Sequence, residues 1–115
     1  MTDYEIKSRR GETNEIRLEA FFKGEWVSGC SVWNDNGSNH SHVNGLFVAE
    51  EDRRKGYGRQ MMEYIVSEFA DRELSLMVYP DNTGAILLYE QIGFVAEGPP
   101  DEFNLQLMVM KGNEK

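Results

Sequence analysis

The sequence predicts an α/β fold: a mixed, mostly antiparallel central β-sheet flanked by two main helices, in the order β-β-β-β-α-β-α-β-β. Three observations carry this expectation. Apolar residues alternate with a period of two through the first half of the chain. After Gly56 the apolar spacing changes to three and four residues, the period of a helix face. Between two such helical stretches lies the short apolar run Leu74 to Tyr79, ended by Pro80, which suits a central strand.

Each element has its own justification. Tyr4 and Ile6 fit a short first strand, and Arg9-Arg10-Gly11-Glu12 reads as a turn. Ile16, Leu18, Ala20 and Phe22 alternate with Arg17 and Glu19 on the opposite face, the pattern of a half-buried second strand. Lys23-Gly24-Glu25 turns the chain into a third strand, Trp26 to Trp33. Asn34-Asp35-Asn36-Gly37-Ser38 is a hairpin turn, because Asn and Gly adopt positive φ cheaply. A fourth strand follows from about Ser41 to Val48, completing a meander. Tyr57, Met61, Met62, Ile65, Val66 and Phe69 mark the apolar face of the first helix. Asp81-Asn82-Thr83 supplies capping chemistry for a second helix, from about Gly84 to Gln91, which Gly93 stops. Phe94 to Ala96 and Phe103 to Met110 read as the last two strands.

Composition narrows the function. The 115 residues suit one domain spanning 1–115. Twelve Lys and Arg against twenty Asp and Glu give a net charge of −8, a poor match to a nucleic-acid backbone, so nucleic acid is not an expected partner. No apolar run approaches the roughly 18 residues of a membrane span, and the first residues lack the pattern of a signal peptide. The expected setting is cytoplasmic, away from the membrane. With one cysteine, Cys30, and two histidines, His40 and His42, no internal disulfide and no metal site are expected. Cys30 reads as a small buried side chain rather than a nucleophile, and Trp26 and Trp33 as core or sheet-face packing, with the lining of a substrate groove as the alternative.

Against this acidic background, Arg53, Arg54, Lys55 and Arg59 place four of the twelve cations in one glycine-containing loop. The loop lies where the fourth strand ends and the first helix begins. Helix N-termini expose unpaired N–H groups and partial positive charge, and Gly56 and Gly58 allow close backbone approach, so the placement suits a phosphate or pyrophosphate. The bland alternative is a solvated turn. A P-loop is excluded by the missing Gly-Lys-Ser/Thr, and a G-x-G-x-x-G fingerprint by Met61 at its third glycine position.

Two segments together, Val48 to Gly58 and Asn82 to Phe94, resemble the GNAT superfamily of N-acetyltransferases. Arg53-Arg54-Lys55-Gly56-Tyr57-Gly58 matches its R/Q-x-x-G-x-G/A acyl-CoA loop. Ala85-Ile86-Leu87-Leu88-Tyr89-Glu90-Gln91-Ile92-Gly93-Phe94 is similar to its A-x-x-L-Y-x-x-x-G-F segment. The resemblance covers about residues 41–96 and implies a GNAT-like fold with acetyl-CoA as co-substrate. It assigns Arg53, Arg54, Lys55, Gly56, Gly58 and Arg59 to the pyrophosphate and Leu46, Phe47 and Val48 to the pantetheine arm. Asn82 stands where family members contact pantetheine, although helix capping explains an Asn there equally well. Tyr89 matches the tyrosine that protonates the departing CoA thiolate, its alternative being a core aromatic.

For the base, the family position on strand four falls on His42 rather than on the family's glutamate. Imidazole has a suitable ordinary pKa near 6.5, and an exposed structural histidine is the alternative. A regular fourth strand would place His42, Asn44, Leu46 and Val48 on one face. Glu50 and Glu51 are further candidates, or ion-paired surface groups.

The chain departs from the family between its first two strands, where Ser8 to Glu15 is too short for the usual helical pair. The acceptor side should then be open, which favours a protein lysine as the amine. Small amines such as a polyamine or an aminoglycoside, and a non-catalytic CoA-binding module, are the alternatives. Homodimerisation is left open as a way to rebuild the missing wall.

Overall fold

The computed structural model describes residues 3–11, 14–35, 39–49 and 55–111. Its elements follow the expected order: β1 (Tyr4–Arg10), β2 (Glu15–Phe22), β3 (Glu25–Asn34), β4 (His40–Val48), α1 (Tyr57–Glu68), β5 (Glu73–Val78), α2 (Thr83–Ile92), β6 (Val95–Glu97) and β7 (Gln106–Met110). One seven-stranded sheet runs β1-β2-β3-β4-β5-β7-β6. Every pairing is antiparallel except β4 with β5, the pair that the crossover helix α1 connects.

Boundaries differ from the expected ones in three places. Arg9 and Arg10 continue β1, opposite Arg17 and Ile16, so β1 and β2 form a hairpin closed by the bond from the Gly11 N–H to the Glu15 carbonyl (2.8 Å). Ladder pairing outweighs the turn chemistry of those residues. Phe94 is buried ahead of β6 rather than within it. Phe103 belongs to a turn, because the Asp101 carboxylate accepts from the N–H groups of both Phe103 and Leu105 (2.9 Å each) and Asn104 takes a left-handed φ of 62°.

Both helices cover the same face of the sheet. Tyr57 of α1 stacks on Tyr4 at 5.8 Å between ring centroids, Gly58 lies against Leu46, Val48 and Leu88, and Arg59 of α1 bonds Gln91 of α2. Met61, Met62 and Ile65 of α1 complete a core with Leu18, Cys30, Val32, Val43, Leu74, Met108 and Phe94. At about 25 cal/mol per Å² of apolar surface, this burial is the main force holding the sheet to its helices.

No described helix packs on the opposite face. Register places Arg17 and Glu19 of β2, Ser31 and Trp33 of β3, His42, Asn44 and Phe47 of β4, and Ser75 and Met77 of β5 there. Trp33 and Met77 are each 37% exposed and Phe47 is 51% exposed. The two tryptophans are thus packing residues of this bare face, Trp26 stacking on Phe47 at 5.9 Å.

Strand β4 is not regular. Asn44 pairs with Ser31 but Phe47 with Gly29, so three steps on β4 match two on β3. The extra residue lies at Gly45, whose φ of 71° a residue with a Cβ would adopt only at a cost. The bulge reverses the alternation. His42 and Asn44 stay on the bare face with Phe47, whereas Leu46 and Val48 turn to the helices, so the four residues expected on one face are divided between two.

Candidate functional site

The site is built on a divergence. Strands β4 and β5 pair over three residues only, from His40 with Glu73 to His42 with Ser75, and then separate. The gap opens on the helix side as a cleft of about 760 Å³. One wall is β4, through Leu46, Phe47 and Val48. The other wall comes from α2, through Ala85, Leu88 and Tyr89, while Gly56, Tyr57, Gly58 and Arg59 close one end and Asn82 borders the gap.

The start of α1 shows why glycines stand there. Gly56 is the N-cap, with φ 89° and no side-chain cap, and no acidic residue occupies the first turn. The first-turn N–H groups have no partner from within the helix, which suits an anion. At Gly58 a Cβ would lie 3.6 Å from Val48 Cγ2 and 3.8 Å from Leu88 Cδ2. It would occupy the crevice between β4 and α2, so the missing side chain keeps the crevice open to a slender chain.

A second cavity of about 210 Å³ lies beside the same divergence. Asn44, Gly45, Met77, Tyr79 and Leu105 are among its walls, and it shares Leu46, Asn82 and Tyr89 with the cleft. These three residues mark where the two spaces adjoin.

Tyr89 sits in the last turns of α2, 9% exposed, its ring edge-on to Phe94 at 6.1 Å. Burial pushes its phenol above the ordinary range, with the Cys30 thiol a smaller contribution, so it stays protonated at neutral pH. Its hydroxyl has no hydrogen-bond partner among the described residues. Asn82 caps α2, its Oδ1 accepting from the Ala85 N–H at 3.4 Å, while it also lines both cavities. The two readings of this residue are therefore compatible. Arg59 lines the cleft, and its guanidinium is also held by Gln91 and, at 3.5 Å, by Glu63.

The other expected residues divide differently. Arg53 and Arg54 lie outside the described residues, as do Glu50 and Glu51. Lys55 is described but is not among the residues lining the cleft. His42 lines neither cavity; it stands at the base of the divergence on the bare face, its Nδ1 2.9 Å from Ser75 Oγ. Burial, and then His40, lower its pKa. Cys30 is fully buried and its thiol is pushed up to about 12 by burial, which rules it out as a nucleophile at neutral pH. Among the described residues no group of three His, Cys, Asp or Glu could hold a metal ion, and no helix is long and apolar enough to cross a membrane.

Sequence reasoning missed Ala85 and Leu88 as cleft residues. Their spacing of four and one from Tyr89, read on a helix, would have put Ala85 on the face of Tyr89 and Leu88 beside it.

A model of the acetyltransferase (GNAT) family matches residues 2–94. The chain belongs to that family. It is accordingly an acyltransferase by family, and the co-substrate of GNAT enzymes is acetyl-CoA. Solved GNAT structures share the fold at low identity. The IAA acetyltransferase from Bacillus cereus ATCC 14579 superposes with a TM-score of 0.82 at 13% identity, over 94% of this chain and 99% of that one. The ribosomal-protein-S18-alanine N-acetyltransferase from Escherichia coli gives 0.79 at 20% identity, over 92% and 74%. A chimera of the spermidine N-acetyltransferase SpeG from Vibrio cholerae and hSSAT gives 0.79 at 19%, over 87% and 68%. No curated protein sequence matches the chain. Four residues, 11–14, separate β1 from β2.

Proposed function

We propose that this GNAT chain transfers the acetyl group of acetyl-CoA directly to a primary amine carried on a macromolecule, a protein lysine being the acceptor class. The observation that carries the acceptor class is the bare sheet face beside the divergence of β4 and β5. No described helix stands over it, so an amine on a bulky partner can approach.

The cleft residues fit acetyl-CoA. Gly56, Gly58 and the first turn of α1 would hold the pyrophosphate through backbone N–H groups, with Lys55, Arg59 and the neighbouring Arg53 and Arg54 adding charge. Leu46, Phe47 and Val48 would run beside the pantetheine arm, with Asn82 on its other flank. When bound, acetyl-CoA supplies the activated thioester carbonyl. Tyr89 would donate a hydrogen bond to the sulfur as the thiol departs. Complete proton transfer from a phenol near 10 to a thiolate near 8.5 is uphill by about 2 kcal/mol, more so after burial, so the proton moves late, as the C–S bond opens. His42 would accept a proton on the amine side, since a lysine-like amine is deprotonated in only about one molecule in 10³ to 10⁴ at pH 7.

A free polyamine is a poorer fit. Its second ammonium calls for a carboxylate, and none of the described residues lining the second cavity is acidic. The spermidine acetyltransferase neighbours keep this reading as the alternative. The test is mass spectrometry of lysate proteins, polyamines and aminoglycosides after incubation with the purified chain and labelled acetyl-CoA. Labelled lysines are expected. Label on polyamine alone would replace the acceptor class, and tight CoA binding without transfer to any amine would indicate a binding module.

A further inference from the structure

The bare face holds a polar cluster that belongs to neither cavity. His40 Nδ1 lies 2.6 Å from Asp35 Oδ2, His40 Nε2 lies 2.8 Å from Ser75 Oγ, and His42 Nδ1 lies 2.9 Å from the same Oγ. The three contacts form one chain, Asp35–His40–Ser75–His42. It begins at a carboxylate 57% exposed and ends at the last β4 residue paired with β5, where the strands part.

Hydrogen-bond logic fixes the protons. A carboxylate only accepts, so with both rings neutral His40 carries its proton on Nδ1 and its Nε2 accepts. Ser75 has a single hydroxyl proton and gives it to His40 Nε2. His42 must then donate to Ser75 Oγ from Nδ1, which leaves the Nε2 of His42 as a proton acceptor.

We infer that Asp35, His40 and Ser75 form a relay that holds His42 in the tautomer a base requires and drains the proton it collects to the surface. The inference rests on the proposed amine acetylation and deepens it. A proton leaving the acceptor ammonium binds His42 Nε2. The Nδ1 proton of His42 passes to Ser75 Oγ as the Ser75 proton passes to His40 Nε2. His42 ends neutral with its proton on Nε2, Ser75 is again a hydroxyl, and the positive charge rests on His40, against the Asp35 carboxylate and beside solvent. His42 takes up one proton and gives up one, so no charge is left there, and the added proton stays on His40 until solvent takes it. Ser75, His40 and Asp35 are positioning residues, and His42 alone is the proposed base.

Other chemistry fits less well. The Asp–His–Ser order is that of a hydrolytic triad, but Ser75 is 4% exposed in mid-strand, its segment laddered to β4 and to β7. A hydroxyl buried this way and shared by two imidazoles is withheld from a substrate carbonyl, so the cluster can move a proton but not turn over an acyl group. Arg72 bonds the His40 carbonyl (2.7 Å) and Ser41 Oγ (2.6 Å), Glu73 stands beside His40 and pairs with Lys111 at 3.5 Å, and Trp33 and Val109 flank His42 and Ser75.

The test is an imidazole ¹⁵N NMR titration of the whole chain, with kcat on polylysine and acetyl-CoA followed over the same pH range. At high pH His42 is expected as the Nδ1–H tautomer, switching to Nε2–H in step with protonation of His40. Ser75→Ala abolishes the coupling, and Asp35→Asn, at an exposed position, weakens it. Both variants should lower kcat by roughly tenfold and shift the acidic limb, with the Kd for CoA unchanged. Two rings that titrate independently, with the same tautomers in all three proteins, overturn the relay, as does an unaltered kcat profile in both variants. If the wild-type chain acetylates no amine, the proposed activity fails while the tautomer measurement still decides the relay.

Discussion

The two faces of this sheet are made by the same strands and do opposite work. On the covered face Leu46, Val48 and Cys30 meet α1 and α2, and the space that remains is a crevice whose width is set by the absent Gly58 side chain. On the bare face the neighbours of those residues are Asn44, Phe47, Ser31 and His42, and packing gives way to pairing. Arg17 is held by Glu19 at 2.9 Å, Glu19 accepts from Trp26 Nε1 at 2.7 Å, and Ser31 donates to Glu15 at 2.6 Å. The contrast teaches that in a half-covered sheet one strand can line a cleft with one set of side chains and present a polar open surface with the next. Gly45 is the point where β4 exchanges the two sets.

Substitutions on either face should separate these roles. The largest effect is expected from Tyr89→Phe, which should lower kcat by about 10²-fold with the CoA Kd unchanged in calorimetry; an equal fall in CoA affinity would demote Tyr89 to packing. Gly56→Val comes next, because a β-branched residue at φ 89° is strained by ~1–2 kcal/mol. CoA affinity should fall at least tenfold, while Gly58→Ala, whose Cβ meets only ordinary contacts, keeps the melting temperature and weakens CoA alone.

The bare face should respond more weakly. His42 binds its proton below the ordinary imidazole range, so the unfolded chain protonates first as pH falls through about 6.5. Its contribution to stability is present above that pH and is lost as pH falls through the folded value. His42→Gln should flatten the slope of melting temperature with pH over that window, and an unchanged slope would place the acid sensitivity elsewhere. The smallest effect is expected from Gly29→Ala. Its Cβ would displace the flexible ends of Arg17 and Glu19 and no backbone, so a cost of about 1 kcal/mol or less and an unchanged CoA Kd are expected. A lost CoA site there would end the division between the faces.

Most of the fold was legible because its signals are local. The period of two through β2, the change of period after Gly56, and the Asn82 cap with the Gly93 stop each depend on residues within a turn or two of one another. The motifs around Gly56 and Tyr89 are local in the same sense. What misled were places where pairing overrides propensity: Arg9 and Arg10 in the β1 ladder, and Phe103 in a turn closed by Asp101.

By itself, then, the sequence determined the order of the elements, the family and the part of the cleft lining that lies on β4, at Gly56, Gly58 and Arg59, and at Asn82 and Tyr89, since each rests on short-range periodicity or on a contiguous motif. Tertiary structure alone decided the parting of β4 from β5 after His42, the division of His42 and Asn44 from Leu46 and Val48, and the meeting of Asp35, His40, Ser75 and His42. Ser75 reaches the histidines from more than thirty residues away along the chain. Such a contact is set by strand register across a crossover, and a one-residue bulge in one strand changes which side chains share a face.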